Sequence, residues 1–201
     1  MTLNFFKLQN SIIIIIMTLL LTCIYSSFAQ ATNDDKLIER VCGSTKYPTE
    51  CESCVYYVGR NTSIMTDVDV IKAMVNCADS TASDLIIVAR DLAPRQQDKQ
   101  VTVKLYRCVT NFIKVRVKSE VILLEINNGS IPNTSAVVND GTDHSAIGSA
   151  LSVYTDVANC TADFNGFTIP PTLVTGIQNL RNHYHIILEL LCAPKGCTNP
   201  F

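Results

Sequence analysis

The sequence predicts an all-α fold, an antiparallel up-down four-helix bundle that follows a disulfide-closed N-terminal helical hairpin. Four stretches place apolar residues at alternating steps of three and four, which is the spacing of one helix face. No internal repeat, alternating strand run or glycine-rich phosphate loop competes with this interpretation. Eight of the nine cysteines lie beyond the N-terminal apolar segment, so we expect the helices to be cross-linked.

Residues 1–31 have the features of a signal peptide. Lys7 provides a cationic start, a long uncharged apolar run follows, and Ala29 and Ala31 each offer a small-residue cleavage site. A transmembrane anchor is the alternative, but the run is short for a span of about 20 residues and has no basic flank after it. We therefore expect residues 32–201 to be secreted, with no membrane attachment after cleavage.

The charge of the secreted part is mildly negative. Loss of Lys7 reduces the 16 basic residues to 15 against 18 acidic ones, which gives a net charge of −3. This balance argues against nucleic acid or an acidic lipid surface as the main partner. Secretion makes the sequons at Asn61, Asn128 and Asn133 predicted glycosylation sites, whereas the sequon at Asn159 adjoins a cysteine that we expect to be bridged.

The first long helix is predicted to begin after Thr66, where Asp69 completes a capping box, and to end at Pro94. The second is predicted to stop at Asn127-Asn128-Gly129. Its apolar stripe comprises Val101, Leu105, Cys108, Phe112, Val115, Ser119, Ile122 and Ile126. Several valines lower its helix propensity, so a strand over Lys114–Val121 is the alternative.

A polar insertion over residues 129–143 is predicted to be a surface loop, and Asp143 is a candidate cap for the third helix. That helix is expected to turn inward Ile147, Ala150, Leu151, Tyr154 and Val157. Pro170-Pro171 suits the first turn of the fourth helix. We expect one domain over residues 32–201, divided into a hairpin (32–65), a bundle (66–192) and a tail (193–201).

The eight cysteines allow 105 pairings, so we select among these pairings by the positions of the cysteines in the predicted helices. Cys42 and Cys51 enclose a Tyr-Pro turn, which makes a local bridge reasonable. Cys108 and Cys160 lie on consecutive helices that a bundle brings together. The remaining four are Cys54, Cys77, Cys192 and Cys197. A bridge between the last two would close the tail and leave Cys54 for Cys77.

Catalysis and metal binding find little support in the sequence. Cys51 and Cys54 have the spacing of a redox motif but lack a surrounding βαβ pattern, and a zinc site would need a second pair of ligands. His183 and His185 are two residues apart and so lie on different sides of a helix. A position at a helix start explains His144, Asp67 and Asp69 better than catalysis does. Ser149 and Ser152 lack the nucleophile-elbow context of a catalytic serine. We expect no enzyme activity, no cofactor and no metal.

Four segments in order resemble one family. They are Leu37–Cys51, Leu105–Cys108, Ile147–Phe164 and Pro170–Leu173. Together they are similar to the plant pectin methylesterase inhibitor and invertase inhibitor family, in which a cysteine hairpin precedes a four-helix bundle. The resemblance implies the bridges Cys42–Cys51 and Cys108–Cys160. It also implies that the second and third bundle helices contact the target enzyme in the apoplast.

The chain departs from the family pattern in two places. Its loop between those helices has Ile131-Pro132-Asn133 where invertase inhibitors often carry Pro-Lys-Phe, and Asn159 stands where pectin methylesterase inhibitors often have threonine. The missing Pro-Lys-Phe favours the pectin enzyme as the target. Acid invertase is the alternative, and a non-inhibitory extracellular interaction module is a further one. A carrier of apolar ligands is disfavoured by the tight filling of the predicted core.

We expect a monomeric inhibitor that reversibly occludes the substrate cleft of one enzyme molecule. The predicted target-binding residues of the second helix are Lys104, Arg107, Asn111, Lys114 and Lys118, and those of the third are Ser149, Ser152, Asp156 and Asn159. The basic stripe would suit an acidic cleft, since enzymes that act on sugars use carboxylates. The alternative is an ordinary solvated helix face.

Overall fold

A computed structural model of the chain describes residues 34–59, 64, 66–129 and 145–193. Residues 34–43 form α1, and the later helices are α2 (Pro48–Gly59), α3 (Asp67–Leu92), α4 (Lys99–Asn127), α5 (Ala146–Asp163) and α6 (Pro171–Cys192). A 3-10 turn, Ala93–Arg95, follows α3. These described residues contain no strand, and the predicted all-α class is confirmed. None of their helices is both long and apolar enough to cross a membrane.

The four long helices form a closed bundle. Helix α3 packs against α4 and α6, and α5 packs against the same two, so each helix contacts its neighbours in a ring. The short helix α2 lies on α3 and touches α6. The apolar stripes therefore meet in one core, and the hairpin of α1 and α2 covers one side of the bundle.

The start of α3 was predicted correctly. The Thr66 hydroxyl accepts a hydrogen bond from the Asp69 amide at 3.2 Å, and the Asp69 carboxylate accepts one from the Thr66 amide at 2.9 Å. The helix ends at Leu92 and Pro94 lies in the 3-10 turn, since proline cannot continue an α-helix. This end follows from local chemistry alone.

The strand alternative for Lys114–Val121 is wrong, because these residues lie in the middle of α4. Asp98, which was not among the predicted caps, caps this helix by accepting a hydrogen bond from the Gln100 amide at 2.7 Å. At the other end Gly129 has a φ of +70°, which is the left-handed conformation that stops helices. Tertiary packing of the core stripe outweighs the modest β-preference of the valines.

The start of α5 corrects a prediction. Its cap is Ser145, whose hydroxyl accepts a hydrogen bond from the Gly148 amide at 3.2 Å, and not Asp143, which lies outside the described residues. The inward face also differs in part. Leu151 and Tyr154 are only half-buried, and Val153 is fully buried instead.

Three disulfides connect six of the seven described cysteines. Cys42–Cys51, Cys54–Cys77 and Cys108–Cys160 have Cα–Cα distances of 5.5, 5.8 and 4.8 Å. All three pairings agree with the prediction. Because Cys51 and Cys54 are bonded to different partners, they do not form a redox pair. Cys197 lies outside the described residues, so its pairing with Cys192 stays a prediction.

A buried hydrogen bond connects α4 and α6 at the centre of the core. Tyr184 is fully buried, and its hydroxyl lies 2.5 Å from the hydroxyl of Ser119, which donates its own proton to the Val115 carbonyl at 3.0 Å. The Tyr184 hydroxyl therefore donates to Ser119. Burial raises the pKa of Tyr184, so the phenol stays protonated.

This hydrogen bond predicts that substitutions of Ser119 and Tyr184 lower the free energy of unfolding by different amounts. Ser119→Ala leaves the Tyr184 hydroxyl without its acceptor and is expected to cost about 1–3 kcal/mol, whereas Tyr184→Phe removes the buried donor itself and is expected to cost about 1 kcal/mol. In a Ser119→Ala background, Tyr184→Phe should cost almost nothing more. Denaturant unfolding of the four proteins measures this cycle, and fully additive costs would contradict the hydrogen bond.

Candidate protein-binding surface

Helices α4 and α5 run antiparallel and are connected at three levels. The Cys108–Cys160 disulfide is fully buried between them. The Lys104 ammonium donates to the Asp163 carbonyl near one end. Near the other end the Lys118 ammonium lies 2.6 Å from Asp156. The two helices therefore behave as one rigid unit, and a surface that they share is ordered before any partner binds.

The predicted basic stripe of α4 divides into two rows. Lys104, Asn111 and Lys118 are seven residues apart and half-buried. The two lysines of this row contact α5 or the segment that follows it, and Lys104 also lies 4.6 Å from the centre of the Phe167 ring. Arg107 and Lys114 form the second row and are exposed. Lys104 and Lys118 thus make intramolecular contacts, whereas Arg107 and Lys114 are exposed to solvent.

The predicted residues of α5 lie beside this stripe. Ser152 and Asn159 are exposed, and Ser149 and Asp156 are half-buried. The Ser152 hydroxyl accepts a hydrogen bond of 2.5 Å from the same Lys118 ammonium that pairs with Asp156. The structure therefore brings both predicted groups onto adjacent helices, although part of their charge is already neutralised.

The outward face of α4 is apolar, a feature that was not predicted from the sequence. Six of the ten exposed large hydrophobic residues among the described ones lie on this helix. They are Val103, Tyr106, Ile113, Val117, Val121 and Leu124, with exposures of 38–60%. We call them the α4 apolar row. They lie opposite the core stripe, where a helix packed on one side normally carries polar residues.

Such a row is a recognised sign of an interaction surface. The signal was present in the sequence, because these positions fall about half a turn from Cys108 on a helical wheel. Helix propensity alone does not reveal it, because propensity takes no account of which face of the helix the valines occupy.

A depression at the start of α4 adjoins the apolar row. It has a volume of about 330 Å³ and is lined by Lys99, Gln100, Val103, Lys104 and Arg107. Three of these five side chains are cationic. The depression therefore suits an acidic group on a partner that packs against the row.

His183 and His185 contact different parts of the molecule, in agreement with the prediction. The His183 ring lies 3.8 Å from Cys54 Sγ and 3.5 Å from a Glu50 oxygen. His185 lies 3.2 Å from Glu189. His183 has two cysteine sulfurs beside it, which is the composition of a metal site. Those sulfurs belong to the Cys54–Cys77 disulfide, so they offer no thiolates.

Burial lowers the pKa of His183 to about 4, so the ring is neutral at neutral pH. The unfolded chain binds this proton near pH 6.5 and the folded chain only near pH 4, so stability falls as the pH decreases through this window. The expected loss is about 3 kcal/mol. Burial raises the pKa of the neighbouring Glu50, and its protonation favours the folded state and offsets part of that loss.

Unfolding free energies of the wild type, His183→Gln and Glu50→Gln between pH 7 and pH 4 separate the two groups. We expect His183→Gln to flatten the decrease and Glu50→Gln to make it steeper. A His183→Gln profile parallel to that of the wild type would contradict the buried neutral ring.

The predicted glycosylation sites are described only in part. Asn128 is exposed at the end of α4. The other two sites, Asn61 and Asn133, lie outside the described residues. The histidine considered as a catalytic candidate, His144, lies outside them as well. Asn159 is exposed but lies within α5, next to the bridged Cys160.

Comparison with known proteins identifies the fold. No protein-family model matches the chain, and no curated protein matches its sequence. The crystal structure of mutant form A of a pectin methylesterase inhibitor from Arabidopsis is similar, with a TM-score of 0.58 and 12% identity over 77% of this chain and 94% of that one. A pectin methylesterase inhibitor from Arabidopsis thaliana gives 0.53 and 12% over 79% and 95%. The chain has the fold of these inhibitors.

Proposed function

We propose that the chain is a secreted inhibitor of pectin methylesterase. One molecule would bind one enzyme reversibly and occlude its substrate cleft. The observation that carries the proposal is the α4 apolar row flanked by Arg107 and Lys114, on a fold whose solved examples include inhibitors of that enzyme. The disulfides suit the oxidising environment of secretion.

The composition of the surface matches that of protein interfaces. Such interfaces bury an apolar and aromatic centre inside a polar rim. Here the row supplies Tyr106 and aliphatic side chains, and the two exposed cations supply one side of the rim. Cationic rim residues would complement the catalytic carboxylates that enzymes acting on sugars use, and they would raise the rate of association.

Rigidity favours inhibition by simple occlusion. A partner surface that is already ordered loses little conformational entropy on binding. The ties between α4 and α5 hold the backbone of both helices, so binding energy is not spent on ordering them. Inhibition of this kind needs no bond chemistry in the inhibitor, in keeping with a role as a non-enzymatic monomer.

Binding to immobilised pectin methylesterase and, in parallel, to immobilised acid invertase tests the proposal. We expect the oxidised chain to bind the pectin enzyme, and we expect soluble pectin to compete with it. Binding to invertase alone would assign the alternative target. Binding that pectin does not displace would favour the non-inhibitory interaction module.

A further inference from the structure

A second concave region lies away from α4, between α5, α6 and the turn that connects α1 and α2. Its volume is about 250 Å³. Its walls include Lys46, Tyr47, Tyr154, Gln178, Arg181 and Asn182. This volume lies below the range of sites for drug-sized ligands, roughly 300–1,000 Å³, so it suits one unit of a longer ligand. We call it the α5–α6 cleft.

Arg181 is held in place with hydrogen-bonding capacity unused. Its guanidinium donates to the Tyr154 hydroxyl at 3.0 Å and lies 5.3 Å from the centre of that ring. Its Nε is buried and has no hydrogen-bond partner among the described residues. The buried Nε is closed to an incoming ligand, so a ligand acceptor in the cleft would meet the remaining N–H groups of this half-buried side chain.

The cations of the cleft lack a matching carboxylate. No acidic side chain of the described residues lies within ion-pair distance of Arg181 or Lys46. Two carboxylates lie beside the cleft: Glu50 accepts from Asn182 at 2.9 Å, and Glu189 accepts from the backbone amide of Lys46, not from its ammonium, at 2.9 Å. His185 also lines the cleft and lies beside Glu189. The two cations therefore favour an anionic ligand.

The other side chains are those that recognise sugars. Tyr47 and Tyr154 offer aromatic rings for the apolar face of a pyranose. Gln178 donates to Asn182 at 2.8 Å, and together the amides present donors and acceptors that suit hydroxyl groups. An arginine recognises a carboxylate with directional hydrogen bonds.

We propose that the α5–α6 cleft binds a carboxylate-bearing saccharide, a chain of uronic acid units. The carboxylate of one unit pairs with Arg181 and Lys46, while its ring packs on a tyrosine. This site is separate from the α4 apolar row, and the proposal stands whether or not the chain inhibits an enzyme.

Titration of the isotope-labelled oxidised protein with trigalacturonate, followed by NMR, tests this site without any enzyme. We expect shift changes at the backbone amides of Tyr154, Arg181 and Asn182, with saturation in the millimolar range or below. Fully methyl-esterified trigalacturonate, which has the same sugar without the charge, should bind at least tenfold more weakly. Equal binding of both, no shifts at millimolar concentration, or shifts confined to α4 would overturn the proposal.

Variants and a simple anion complete the test. Arg181→Gln and, independently, Lys46→Gln should each weaken trigalacturonate binding at least fivefold, while the exposed control Arg90→Gln should leave it unchanged. Lys46 lies in a turn, so its variant keeps the test decisive if Arg181→Gln disturbs the fold. Displacement of trigalacturonate by equimolar sulfate would show a general anion site and overturn the saccharide assignment.

Discussion

Removal of the Cys108–Cys160 disulfide, as the Cys108→Ala/Cys160→Ala variant, is expected to lower the free energy of unfolding by about 4 kcal/mol. The bridge closes a loop with a sequence separation of 52, and in the chain-entropy model the stabilisation grows with the length of that loop. Both cysteines are fully buried, so the loss of two sulfur atoms from the core adds to the effect. Guanidinium unfolding followed by circular dichroism measures it.

The Cys42–Cys51 bridge provides the matched control. Its separation is 9, so Cys42→Ala/Cys51→Ala is expected to cost nearer 2.5 kcal/mol. Both cysteines are also buried, which keeps the comparison fair. Equal losses of unfolding free energy for the two double variants would contradict the dependence of the stabilisation on loop length.

Reversal of the two exposed cations of α4 is expected to weaken inhibition of pectin methylesterase on the order of 100-fold. Arg107→Glu/Lys114→Glu places acidic groups on the side of the interface where we propose that the enzyme is acidic. Most of the loss should disappear at high salt, because these charges are exposed and therefore screened. Inhibition constants at two salt concentrations measure both effects.

Lys36→Glu/Arg90→Glu changes the net charge equally on other helices and should inhibit like the wild type. Lys104 and Lys118 are unsuitable for this experiment, because their contacts with α5 would couple binding to stability. An unchanged inhibition constant for Arg107→Glu/Lys114→Glu would remove this part of α4 from the interface.

Much of the fold could be predicted because it depends on local pattern. The stripe from Val101 to Ile126 and the capping box at Thr66 each fix one helix without reference to the others. The cap of α5 was misplaced because Asp143 and Ser145 are both good caps. Which of them acts depends on where the first turn packs, and that is decided by the buried Ile147.

The candidate surface was predicted in position but not in detail. Periodicity placed the cations on one side of α4, yet it could not show that the ammonium groups of Lys104 and Lys118 would bind groups of α5. That outcome depends on the register between two helices, which the sequence does not state directly. The α4 apolar row, by contrast, could have been found by asking which residues lie opposite Cys108. The α5–α6 cleft joins segments far apart in the chain and had no sequence signal.

The measurement that tests the central claim most directly is the rate of pectin methyl-ester hydrolysis by a purified pectin methylesterase as the oxidised chain is added. We predict that activity falls to near zero at one molar equivalent and returns on dilution, while acid invertase assayed in parallel keeps its activity. Full activity of both enzymes at micromolar excess of the chain would contradict the inhibitor function.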